Sequence, residues 1–207
     1  MIVAVDGPAA SGKGTIARAV ARHFGLPHLD TGLLYRAVGL NLLAWGGDPE
    51  SEFSALRACD FSQTDFGDPE LKSEAVGGIA SRISVYPSVR TALVERQRQF
   101  AGQPGGAVLD GRDIGTIIVP DADAKLFVTA RAEVRAQRRF EELRGMGLNV
   151  HLPDVLADIQ ARDARDSGRA AAPLVMANDA ILIDTSELGL DAAVETAIAA
   201  VKGKTGG

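Results

Sequence analysis

The stretch Asp6-Gly7-Pro8-Ala9-Ala10-Ser11-Gly12-Lys13-Gly14-Thr15 gathers glycine, lysine and hydroxyl side chains as a phosphate-binding loop requires. It follows the apolar run Ile2-Val3-Ala4-Val5 and opens onto Ile16 to Phe24, whose apolar residues recur at helical spacing. Glycines at 7, 12 and 14 let the backbone turn tightly and approach an anion with no side chain in the way. The loop N–H groups then point inward, the helix start adds partial positive charge, and Lys13 supplies a full one. One departure stands out: the general pattern has Ser or Thr directly after the lysine, whereas here Gly14 intervenes before Thr15.

Three further clusters carry polar chemistry. Asp30-Thr31-Gly32-Leu33-Leu34-Tyr35-Arg36 follows a short strand; Asp30 or Thr31 can cap the next helix, which leaves Arg36 unexplained. Asp110-Gly111-Arg112-Asp113 ends a buried strand and presents two carboxylates and a guanidinium to a polar ligand, unless it is an ordinary surface turn. In Arg162-Asp163-Ala164-Arg165-Asp166-Ser167-Gly168-Arg169 the arginines recur at i, i+3 and i+7, so a helix would bring them to one face with Asp163 and Asp166 beside it. Such patterning is a solvated, salt-bridged face or a grip on phosphate, and the absence of lysine favours the grip. Arg135, Arg138 and Arg139 offer a similar basic face.

These residues need elements to hold them. Pro27-His28-Leu29, Ala107-Val108-Leu109, Lys125 to Thr129 and Ala180 to Asp184 read as further short strands, and Leu33 to Trp45, Ala75 to Val85, Pro87 to Gln103, Glu133 to Arg144, Pro153 to Asp166 and Leu190 to Lys202 as helices. Glu50 to Lys72 is polar, lacks periodicity and reads as an irregular insertion; the tail from Gly203 is expected to fray. Apolar strands alternating with helices imply an α/β fold, a parallel sheet covered on both faces. Ligands in such sheets bind at the carboxyl ends of the strands, which gathers Asp6, Asp30, Asp110 to Asp113 and Asp184 along one edge.

Composition narrows the field. With 207 residues, 46% of them apolar and 24% charged, the chain suits one well-buried core. A net charge of −5 disfavours a nucleic-acid polymer as partner. Lysine appears only at positions 13, 72, 125, 202 and 204, so the positive charge is nearly all arginine, from GC-rich codon usage or from phosphate recognition. Cys59 is alone, and His23, His28 and His151 lack metal-ligand spacing, so each histidine reads as a surface or packing residue. No apolar run is long enough to span a membrane and no leader is evident, which suggests a cytoplasmic protein.

The Gly-Lys-Gly-Thr loop looks like the variant found in nucleoside monophosphate kinases. Together with Asp30-Thr31-Gly32, Tyr35-Arg36, Asp110-Gly111-Arg112-Asp113-Ile114-Gly115-Thr116 and Arg162 to Pro173, in that order over nearly the whole chain, it resembles the bacterial cytidylate kinases. The resemblance implies a three-layer P-loop kinase fold with a five-stranded parallel sheet, a short lid at about 135–169 and a reduced monophosphate-binding insert at about 37–104. The remaining core would be 1–36, 105–134 and 170–207, in a single domain, and the protein is expected to be a monomer. It implies ATP as phosphoryl donor and CMP or dCMP as acceptor. By matching position, Gly7, Pro8, Ala9, Ala10, Ser11, Gly12, Lys13, Gly14 and Thr15 hold ATP, while Arg36, Arg112 and Arg169 hold the acceptor phosphate. Asp30 and Asp166 face the sugar, and Ser81, Arg90 and Asp113 the cytosine, with Thr31 also in the substrate site. Thr31 stands where the family usually has serine and keeps the hydroxyl, and Asp60 to Lys72 leaves no room for the extra strand pair of longer members.

The chemistry has its own physical logic. A nucleoside monophosphate already carries nearly two negative charges at neutral pH and needs no general base. The obstacle is the approach of two polyanions, met by Lys13, loop N–H groups and Mg²⁺ on the donor and by arginine on the acceptor. Lys13, Arg112, Arg138, Arg162 and Arg165 are the catalytic candidates, with Thr15 and Asp110 orienting Mg²⁺ partly through water. A carboxylate at Asp113 favours the amino group of cytosine over the carbonyl of uracil. The alternatives are a kinase acting on UMP or AMP, and a regulatory P-loop ATPase; against the latter, a second, arginine-rich phosphate site would have no purpose.

Overall fold

In the computed structural model, which describes residues 1–62 and 64–206, five parallel strands form one sheet in the order β2-β3-β1-β4-β5. The strands are β1 (Ile2–Asp6), β2 (His28–Asp30), β3 (Ala107–Gly111), β4 (Ala124–Thr129) and β5 (Ile181–Asp184). Within β1, Val3 and Val5 point to one face and Ala4 to the other. The first face is covered by α1 (Lys13–Phe24) and α8 (Leu190–Thr205), through Ile16, Val20, Ala197 and Val201. The second packs on α5 (Pro87–Ala101) and on Ile114 and Ile118 of a π-helical turn at Ile114–Ile118. Burial on both faces is why these strands are apolar runs, each fully buried valine or leucine contributing about 1.5–3 kcal/mol.

Register decides what meets at the strand ends. Asp6 pairs with Gly111 and Asp30 with Asp110, so the loops after β1, β2 and β3 leave the sheet at one level. The strand order reverses at β1, which places a crevice above it. Asp184 ends its strand along the same edge, but its carboxylate is exposed and accepts from the N–H of Ser186.

Two helical layers rise around this crevice. One is a lobe of α2 (Thr31–Ala44), α3 (Glu52–Arg57), α4 (Glu74–Ile83) and part of α5, with its own core of Leu34, Leu42, Leu71, Ile79, Ile83 and Leu93. The other is the pair α6 (Ala132–Gly145) and α7 (Leu152–Gly168), joined through Ala136, Leu143, Val155 and Ile159.

Two expectations need correction. Among the described residues of 50–72 two stretches are regular: Ser51 caps α3 by accepting from the Ser54 N–H, and Pro69–Lys72 forms a 3-10 turn capped by Asp68. Ala55, Phe61 and Leu71 from this segment enter the lobe core. The tail does not fray at Gly203, because α8 continues to Thr205 and stops at Gly206, whose φ of 74° suits a glycine cap.

Candidate active site

The loop after β1 passes so close to β4 that a Cβ on Gly7 would lie 2.0 Å from the Val128 carbonyl oxygen. No other residue fits there. The helix α1 then starts at Lys13 with Gly12 as its N-cap and no side chain satisfying its first N–H groups. Those donors face the cleft together with Lys13, the arrangement that favours an anion. The loop is buttressed from α6: Arg135 donates to the Ala9 carbonyl at 3.1 Å and pairs with Asp163 at 2.6 Å. Arg138 donates to the Thr185 hydroxyl and carbonyl at 2.9 and 2.7 Å, and Thr185 Oγ1 lies 3.2 Å from the Ser11 carbonyl.

Carboxylates line the floor. Asp6, 5% exposed, accepts the N–H groups of Ile114 and Gly115 at 2.8 Å each and so ties β1 to the segment after Asp113. Burial outweighs those two bonds and pushes Asp6 up to about 6. Asp110 accepts from His28 Nε2–H at 2.7 Å, and its carbonyl accepts from the Thr31 hydroxyl at 2.8 Å. Burial and the neighbouring Asp110 push Asp30 up, against the pull of Lys13. Lys13 is half-buried as a residue. Its ammonium is nevertheless pushed down to about 8, first by loss of solvent and then by Arg112, with Asp110 and Asp30 pulling the other way.

The opposite wall is arginine. Arg112 Nε donates to Asp166 at 2.7 Å. Arg36 donates to the carbonyls of Leu71 and Ser73 at 2.7 and 3.1 Å, and burial followed by the charges of Arg162 and Arg139 pulls its guanidinium down. The expected shared face of α7 exists and lies along α4: Arg162 pairs with Glu74 at 2.9 Å, Arg165 donates to Ser81 Oγ at 3.2 Å, and Arg169 to Ser84 Oγ at 3.4 Å. The acids beside them, Asp163 and Asp166, take Arg135 and Arg112.

One cleft of about 630 Å³ brings most of the expected residues together. The loop from Ala9 to Thr15 lines it with Asp30, Thr31, Arg36 and Ser81, and so do Asp110, Arg112, Asp113, Arg162 and Asp166. Gly7 and Pro8 shape the loop from behind. Gly7, Pro8 and four expected arginines do not line it. Arg90 is buried against Asp113, and Arg169 lies behind the same carboxylate at 3.8 Å rather than with Arg36 and Arg112. Arg165 is held at Ser81, and Arg138 is engaged by Thr185, through which it reaches the loop at the Ser11 carbonyl. Arg135, read as part of a phosphate-gripping face, is 4% exposed and serves the backbone instead. Sequence reasoning missed Glu74 and the tie of His28 to Asp110; a histidine two residues before the strand-end Asp30 was the available signal.

Among the described residues no group of three His, Cys, Asp or Glu side chains could hold a metal ion by itself. The Asp110 carboxylate and the Thr15 hydroxyl, which accepts from Arg18 at 3.3 Å, face the same cleft. A few hard oxygen donors suit Mg²⁺, which keeps much of its water.

Comparison with known proteins agrees with this geometry. The family described as "Cytidylate kinase" matches residues 3–203. A protein named cytidylate kinase from Methylocella silvestris is 56% identical over 98% of this chain and 94% of its own length. Another so named, from Xanthobacter autotrophicus, is 55% identical over the whole of both chains. Among solved structures, a gluconokinase from Sinorhizobium meliloti superposes with a TM-score of 0.53 at 13% identity, over 99% of this chain and 93% of that one, a likeness of fold alone. A glycine loop whose free N–H groups and lysine suit an anion, an arginine wall facing it, and a family match along almost the full length converge: the chain belongs to the cytidylate kinase family.

Proposed function

We propose that this protein transfers the γ-phosphoryl group of ATP to CMP or dCMP, forming ADP and the cytidine diphosphate. The observation that carries the reading is that two anion-binding surfaces face each other across one cleft: the glycine loop with Lys13, and the wall of Arg36, Arg112 and Arg162.

An acceptor phosphate oxygen attacks the γ-phosphorus in line as the bond to the β–γ bridging oxygen breaks. The attacking oxygen is already anionic, so the chain's task is to align two polyanions and to spread positive charge around the moving group. Loop N–H groups and Lys13 hold the β and γ phosphates. Arg36 and Arg112 hold the acceptor phosphate, and Asp166 fixes the Arg112 guanidinium from behind through its Nε. Asp30 and Asp166 address the sugar. Asp113, gripped by Arg90 and backed by Arg169, presents its carboxylate to the cytosine amino group, with Ser81 nearby on α4. The helix pair α6–α7 acts as the lid, bringing Arg162 over the site and excluding the water that would hydrolyse ATP. Thr15 and Asp110 would hold Mg²⁺, which when bound neutralises phosphate charge.

An acceptor panel tests the reading. With ATP fixed, ADP release is measured with CMP, dCMP, UMP and AMP. CMP and dCMP are expected to be turned over far better than UMP or AMP; a preference for UMP or AMP makes the protein a sister kinase. ADP release independent of any monophosphate makes it an ATPase and overturns the reading.

A further inference from the structure

The seam between α4 and α7 pairs three arginines with one charge and two hydroxyls. Arg162, Arg165 and Arg169 meet Glu74, Ser81 and Ser84 in the same order along both helices. Among the described residues, Glu74 is the carboxylate of the α2–α5 lobe that forms ion pairs with α6 or α7. Its Oε1 accepts two donors of Arg139, with Nε at 2.9 Å, and its Oε2 accepts from Arg162 at 2.9 Å. Arg36 approaches the same point. Its guanidinium packs against α4 at Gly77, where a Cβ would come within 2.8 Å of Nη2.

Three guanidiniums drawn from α2, α6 and α7 repel one another, as the lowering of Arg36 by burial, Arg162 and Arg139 registers. Glu74 sits among them. Burial alone would push its carboxyl up, yet the hydrogen bond from Arg139 and the charges of Arg162, Arg139 and Arg36 hold it below the usual carboxylate range. All four side chains line the cleft that receives the nucleotides.

We propose that Glu74 is a positioning residue for phosphoryl transfer: its carboxylate gathers Arg139 and Arg162 beside Arg36 and thereby sets where lid charge meets the transferring group. This rests on the kinase reading above. Arg139 thus joins the charge that surrounds the reaction, although among the described residues its ion pair with the acceptor lobe is to Glu74.

The test uses the full chain and the best acceptor from the panel. Three quantities are compared for wild type, Glu74→Gln and Glu74→Asp: the single-turnover rate, the Kd of ATP without acceptor, and the thermal midpoint. Glu74→Gln is expected to slow single turnover at least tenfold while the Kd of ATP stays within twofold and the midpoint within a few degrees. Glu74→Asp, which keeps the charge, is expected to recover part of the rate. Adding Arg139→Gln to Glu74→Gln is expected to cost less than threefold more, because both act through one contact. A rate within twofold of wild type, a faster rate, a collapsed midpoint or an equal loss of ATP binding overturns the inference while leaving the kinase reading intact. A wild-type protein that turns over no acceptor overturns both.

Discussion

Asp113, in the turn after β3, accepts a hydrogen bond from Arg90 of α5, and neither side chain is more than 8% exposed. A buried pair of this kind is strongly destabilised by removing one partner, at about 3–5 kcal/mol, so the carboxylate is fixed in place before any base arrives. Replacing it with the isosteric amide changes what it can accept or donate while keeping its shape. Asp113→Asn is therefore expected to lower the CMP-over-UMP ratio of kcat/KM by about 10- to 100-fold, the range of about 1–3 kcal/mol for a base-edge contact. An unchanged ratio removes Asp113 from base recognition.

Arg112 is the guanidinium that Asp166 orients toward the cleft. Arg112→Ala is expected to cut kcat/KM for CMP about 100-fold or more, corresponding to about 3 kcal/mol for a charged hydrogen bond to phosphate. The Kd of ATP alone should change little, since the proposed ATP site is the glycine loop. Wild-type kinetics would take Arg112 out of the site.

Lys13 titrates near 8 in this cleft, well below an ordinary lysine. Phosphate bound beside it favours the protonated form, so ATP binding takes up a proton and must weaken as pH rises through about 8. The Kd of a non-hydrolysable ATP analogue is expected to rise about tenfold or more between pH 7 and 9.5. Lys13→Arg, which stays charged, should flatten that rise. An equal slope in both proteins places the titration elsewhere.

Asp6 makes the opposite kind of link. Its folded value of about 6 lies above its ordinary 3.8, so its contribution to stability is present at low pH and lost as pH rises through about 6. Asp6→Asn removes that dependence at the cost of one acceptor for the Ile114 and Gly115 N–H groups. Measured by urea unfolding, the variant is expected to gain on wild type by about 2 kcal/mol between pH 4.5 and 7.5. A constant difference would show that Asp6 does not titrate in this window.

Much of this architecture was readable from local pattern. The strands are short apolar runs, the glycine loop lies between strand and helix, and the strand-end rule gathered Asp6, Asp30 and Asp110 onto one level. The helix α3 was not readable, because only Ala55 of its six residues is buried and so small an element leaves no periodic signal. The arginines show the limit most clearly. Arg135, Arg138 and Arg139 lie within five positions on α6, yet one holds the Ala9 carbonyl, one holds Thr185 and one meets Glu74 in the cleft. Helical phase sets all three on one broad face, but what each meets depends on α7, β5 and α4, which only tertiary packing brings alongside. Arg169 likewise shares a face with Arg162, and seven residues of rise carry it past the phosphate wall to Asp113.

The arginine wall is proposed to take a second phosphate that the glycine loop does not reach. Titration of CMP onto protein saturated with a non-hydrolysable ATP analogue, followed by its heat, decides the matter. One CMP is expected to bind per chain, with the signal lost in Arg36→Ala. No CMP binding to the analogue-loaded protein, or displacement of the analogue by CMP, would contradict it.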